Sequence, residues 1–134
     1  MKKQYDEYLY KNDYDFNKIA MDKNINDKDK IIIILISELD YILNSLKKII
    51  YSNNEMKKYL NKDELYDYMK DNILIFKKNL IRIKEIKNKI KLLNNDMNNI
   101  ENIDYDLTEF EEYLINEEKF INNLDYEIIK EISL

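Results

Sequence analysis

Residues 31–60 read IIIILISELDYILNSLKKIIYSNNEMKKYL, and the spacing of their apolar residues decides the fold. Ile32, Leu35, Leu39, Ile42, Leu46 and Ile49 recur at alternating steps of three and four. That is the period of one helix face, not the strict alternation of a half-buried strand. Two further heptad steps give Met56 and Leu60, with Asn53 between them on the seam. Ile36, Leu43 and Ile50 lie beside the seam and widen it. A stripe this broad suits a multi-helix bundle better than a two-stranded coil. A helix over 28–60 is predicted, roughly 50 Å long at 1.5 Å per residue.

A second helix is predicted over 62–100. Asn61 caps it, and Glu64 completes a capping-box-like arrangement. Its seam runs Leu65, Met69, Ile73, Phe76, Leu80, Ile83, Ile86, Ile90, Leu93, Met97 and Ile100. The stripe changes track near Ile83, as a repeat between 3.5 and 3.6 residues per turn does. Asn72 and Asn79 fall on the strict heptad positions, where polar residues either set register or sit at the stripe's edge and reach water. The edge position is the expectation for both.

The stretch NNDMNNIEN (94–102) reads as a loop. After it Thr108 and Glu111 form a second capping box, so the third helix is expected over 107–133. Its apolar stripe is Leu107, Phe110, Leu114, Ile121, Leu124, Ile128 and Ile132, widened by Tyr113 and Phe120. In the N-terminal segment, 1–27, Tyr5, Tyr8, Leu9, Phe16 and Ile19 permit a short helix, with DKNINDKD after it as a loop. The expected architecture is therefore all-α: one domain over 1–134, an elongated helical bundle or coiled coil of about three long helices. With no Gly, no Pro, no Val and one Thr, the chain lacks the turns and the β-branched variety of a sheet protein.

The same absences bound the chemistry. The 134 residues contain no His and no Cys, so they supply no imidazole acid/base, no thiolate nucleophile and no ordinary zinc site. Without Gly there is no phosphate-cradling loop. Part of this is codon usage: Ile, Asn, Lys and Tyr are abundant while Ala and Arg occur once each, the style of an AT-rich genome. That bias weakens arguments from single Asn or Ile residues, but it does not restore a missing active site. Carboxylates are the remaining catalytic candidates. Glu111, Glu112, Glu117 and Glu118 could share neighbouring turns as in di-metal bundles, but those sites add a His to each Glu-x-x-His pair. A solvated acidic face is expected instead. DKNINDKD lacks both the Gly and the twelfth-position Glu of a calcium loop. No catalytic, cofactor or metal site is expected, and no enzymatic activity.

Twelve tyrosines suggest base stacking or phosphorylation, but the Tyr-rich stretch Tyr5–Tyr14 has Asp6, Glu7 and Asp13 among its tyrosines, and bundle packing accounts for tyrosines better. Charge is more informative. Lys77, Lys78, Arg82, Lys84, Lys87, Lys89 and Lys91 stand against Glu85 alone, a local +6. Residues 101–134 hold eleven acids and two lysines, a local −9. The basic stretch could meet nucleic acid or an anionic membrane, the acidic segment could meet a basic partner, or the two could face each other. The third arrangement is favoured, because a turn after the second helix makes the two helices antiparallel neighbours. The stripe Leu107, Phe110, Leu114, Ile121, Leu124 and Ile128 would then dock on the second helix. Net charge of −5 argues against nucleic acid as the main ligand.

The longest apolar run, Ile31–Ile36, is far short of the ~20 residues of a membrane span. The N-terminus, MKKQYDEYLYKNDYD, has acids and tyrosines where a signal peptide would be apolar, so an intracellular protein, cytoplasmic or nuclear, is expected. The expected role is non-enzymatic: a structural or adaptor subunit of a larger assembly, joined to a protein partner as a homo- or hetero-oligomer. The alternative is a regulatory binder of nucleic acid or anionic membrane acting through residues 77–91.

Overall fold

The computed structural model describes residues 21–93 and 101–133. Three helices make up its regular structure: α1 (Asp27–Tyr59), α2 (Lys62–Leu93) and α3 (Glu101–Ser133). No strand occurs among the described residues. The expected N-terminal helix and the seam residues Met97 and Ile100 lie outside them.

The helix ends follow from capping chemistry. The Asn26 side chain accepts the Asp29 amide at 2.7 Å, and Asp27 and Asp29 place negative charge in the first turn of α1. With no glycine for a left-handed cap, α1 stops at an extended residue, Leu60 (φ −91°, ψ 147°). Its amide still bonds to the Met56 carbonyl at 3.0 Å. Asn61 follows at once and accepts the Glu64 amide at 2.9 Å, while its own Nδ2 donates to the Glu64 carboxylate. A two-residue link therefore closes one helix and opens the next.

The third helix starts earlier than its sequence signals indicate. It is already helical at Glu101, so Thr108 lies inside α3 and does not cap it. With no Gly or Pro in the chain to break it, nothing in the sequence ahead of Thr108 stops the helix from beginning earlier.

Cross-helix pairs fix the topology. Glu38 meets Arg82 and Ser52 meets Tyr68, so α1 and α2 are antiparallel. Lys84 meets Glu111 and Lys62 meets Glu131, so α2 and α3 are antiparallel too. Asn53 meets Tyr113 and Lys57 meets Glu117, which makes α1 and α3 parallel. The result is an up-down-up bundle.

Its core has two parts. One joins Ile32, Leu39, Leu43, Leu46, Phe76, Ile83, Ile86, Ile90, Leu107 and Phe110, with their neighbours. The other, toward the α1–α2 link, joins Leu65, Met69, Ile73, Ile121 and Leu124. Phe76 is fully buried and stands edge-on to Phe110, centroids 5.9 Å apart at 84°. Tyr113 also packs on Phe76, centroids 5.2 Å apart and tilted by 46°. Such aromatic pairs contribute about 0.5–1.5 kcal/mol beyond their area.

Candidate interaction site

Apart from Ile132, whose side chain stands exposed near the C-terminus, the expected stripe of α3 is turned inward. Leu107, Phe110, Ile121 and Leu124 are buried, and Leu114 and Ile128 are half-buried. The stripe packs with α2 and α1 as part of the core.

The basic stretch is divided by the same packing. Lys77 pairs with Glu118, and Lys84 with Glu111 at 2.7 Å, both across to α3. Arg82 turns the other way and pairs with Glu38 on α1, with Glu85 beside it at 3.2 Å. These bonds raise the Arg82 guanidinium further above its ordinary value, and the Arg82 hydrogen bonds hold the Glu38 carboxyl below its own. Lys78, Lys89 and Lys91 are exposed on α2. Burial, then the nearby Lys91 charge, lowers the Lys87 ammonium. Outside the stretch, Lys62 bonds to Glu131 at 2.8 Å and Glu127 at 3.3 Å, and both bonds raise it. These pairs are largely exposed, so each is worth only ~0–1 kcal/mol. They set the orientation of α3 more than its adhesion.

A buried polar layer separates the two parts of the core. Asn72 Nδ2 donates to Asn53 Oδ1 at 3.0 Å, and Asn53 Nδ2 donates to Tyr113 Oη at 3.1 Å. Asn53 is fully buried and links all three helices. Asn72 and Asn79 are both half-buried, and Asn72 in addition bonds inward to Asn53. One turn along, Lys57 Nζ donates to Glu117 Oε1 at 2.6 Å and lies 4.5 Å from the Phe120 ring centroid. Desolvation first, and the Glu117 charge after it, push the Tyr113 phenol up to about 12, partly offset by the Asn53 bond.

Glu117 corrects the expectation of a solvated acidic face. Only 6% exposed, it lies on the inner stripe, one heptad from Phe110 and four residues before Ile121. Its Oε2 has no hydrogen-bond partner among the described residues. The step from Leu114 to Ile121 in the stripe left a place that position 117 fills, and this spacing was the available signal. Glu112 is exposed and Glu111 and Glu118 are half-buried, each of the latter two bound to a lysine of α2. Among the described residues no group of carboxylates is placed to hold a metal ion.

The chain matches no protein-family model, no curated protein and no solved structure.

What remains is the outer surface. No described helix is long and apolar enough to cross a membrane. Ile31, Ile34 and Tyr41 of α1 and Ile75 of α2 are exposed on the side where α1 and α2 meet, and Leu74 and Ile81 are exposed on the outward side of α2. The Glu38–Arg82 pair sits among the first four. Leu74 and Ile81 are one heptad apart, at 54% and 59% exposure. These six residues were not singled out from the sequence, because Ile31, Ile34, Tyr41 and Ile75 lie beside the inner seam and read as its margin, and Leu74 and Ile81 are two isolated apolar residues on a charged face.

Proposed function

We propose that this chain is a non-enzymatic helical interaction module, a structural or adaptor subunit whose partner is another protein surface. The observation that carries this reading is the exposed apolar surface of α1 and α2. Ile34, Tyr41 and Ile75 flank the Glu38–Arg82 pair, and Leu74 and Ile81 stand on the outward side of α2, all in water. Grouped exposed apolar residues on a folded domain mark a surface that another chain covers. The lack of His, Cys and Gly supports a binding role over a catalytic one. Occupation of Lys77, Arg82 and Lys84 by internal carboxylates weighs against the alternative, a nucleic-acid or membrane binder acting through residues 77–91.

The test is affinity purification of the tagged full chain beside its Leu74→Glu/Ile81→Glu variant. Proteins retained by the first and lost by the second, with unchanged melting curves, are the expected result. Identical recoveries, or recoveries abolished by nuclease, would overturn the reading.

A further inference from the structure

The charges of α2 are segregated along its length. Its first half carries Asp63, Glu64, Asp67 and Asp71 against Lys62, Lys70 and Lys77, and its second half holds Lys78, Arg82, Lys84, Lys87, Lys89 and Lys91 against Glu85. Lys62 and Lys77 are already taken up by Glu127, Glu131 and Glu118 of α3, so the remaining surface of the first half is acidic. Arg82 and Lys84 are bound by Glu38 and Glu111, and the second half still exposes Lys78, Lys89 and Lys91. Leu74 and Ile81 stand between the halves and straddle the middle of the Lys62–Leu93 helix. A helix acidic at one end, basic at the other and apolar at its exposed middle is complementary to itself reversed.

We infer that the outer face of α2 docks antiparallel on the same face of a second copy of this chain, about a two-fold axis between Lys77 and Lys78. This rests on the interaction-module reading and names the partner of the same surface. In a two-fold contact each residue meets a counterpart and the relation is returned, so one complementary pair counts twice. Leu74 of one copy meets Ile81 of the other. By helical position Lys70 then comes level with Glu85 across the axis, and Asp67 falls within one residue of Lys89. Ile75, on the side of α2 nearer α1, lies at the rim of the contact, with Ile34 and Tyr41 beyond it on α1. Lys77 is neutralised within its own copy by Glu118. Lys78 is the like-charge meeting at the axis, and its long stem lets the ammonium turn outward to water.

Sedimentation of the full chain over a range of concentration and salt tests the inference. The wild type should show a monomer–dimer equilibrium, lost in Leu74→Glu/Ile81→Glu with no change in the melting curve. Asp67→Lys and Lys89→Glu should each weaken the dimer, their combination should restore it, and Lys78→Ala should strengthen it. The chain has no native cysteine, so single cysteines report orientation directly. Lys78→Cys should cross-link between copies with a short bis-maleimide, and Asp67→Cys should not. A wild type that is monomeric throughout overturns self-docking. So does a dimer indifferent to the Leu74/Ile81 variant, or one that cross-links equally through both cysteines. A monomeric wild type leaves the interaction reading standing if the affinity purification still yields partners lost by the variant.

Discussion

Arg82 grips Glu38 through two guanidinium nitrogens, Nε on one carboxylate oxygen at 2.7 Å and Nη2 on the other at 2.9 Å. It is the chain's single arginine, and it occupies a bidentate position that lysine cannot reproduce. Both side chains are about two-fifths exposed, so the pair fixes how α1 and α2 face each other more than it stabilises them. Arg82→Lys should cost no more than about 1 kcal/mol in urea unfolding. A larger loss would mean that the pair is desolvated in solution.

The seams of α1 and α2 meet in the core, and truncation there should be costly. Leu39, Leu46, Ile83 and Ile86 are completely buried. Changing any one to Ala should destabilise the chain by about 2–5 kcal/mol, and Phe76→Ala by about 3–5 kcal/mol. Denaturant midpoints with an unchanged slope are the measurement. Near-neutral values at most of these sites would contradict the packing.

Asn53→Ala should behave differently from an apolar truncation. It leaves the Tyr113 hydroxyl and the Asn72 amide without the bonds they make to it. The expected loss is about 1–3 kcal/mol. A double-mutant cycle with Tyr113→Phe isolates the Asn53–Tyr113 share, and strict additivity would show that the bond contributes nothing.

Stability should depend on pH at both extremes. The Glu38 carboxyl lies lower in the fold than in the unfolded chain. Its contribution is therefore present above the ordinary glutamate range and lost as pH falls through the lowered value. Tyr113 has the opposite sign. Its phenol rises from about 10 to about 12, so its contribution is intact below about 10 and is lost as pH climbs toward about 12. Tyr113→Phe should flatten the alkaline limb of the melting-temperature profile, and Glu38→Gln the acid limb. An alkaline limb unchanged by Tyr113→Phe would place the titrating group elsewhere.

Deleting residues 104–134 removes the carboxylates bound to Lys77 and Lys84 and uncovers the core around Phe76. The truncated chain should aggregate and gain affinity for heparin. A truncated chain that stays monomeric, melts at the same temperature and ignores heparin would show that α3 does not pack there in solution.

The legibility of this fold follows from where energy is local. The seams of α1 and α2 were readable because the same residues define both the period and the core, from Ile32 to Leu46 and from Leu65 to Ile90. The junction was readable because Asn61 and Glu64 are three residues apart and satisfy each other. The start of α3 was not, since Thr108 offers a capping signal inside a helix that no Gly or Pro interrupts. Glu117 was misjudged for another reason. The stripe's spacing left room for it, but its partner Lys57 stands sixty positions earlier in the chain, and an unpaired acid reads as solvated. The outer apolar face was hidden likewise, because a seam's margin and a docking surface have the same spelling.

The polar layer at Asn53, Asn72 and Tyr113 divides the bundle's apolar interior, and division affects how the protein breathes. The part nearest the Leu60–Asn61 link is the smaller of the two, and only Tyr113 and Leu114 are common to both, so local opening is expected to begin there. Backbone amides of Leu65 and Met69 should accordingly exchange with deuterium through a partial opening. Those of Ile83 and Ile86 should wait for global unfolding. Exchange in that order would make the asparagine bridge the boundary between two cooperative units of one fold.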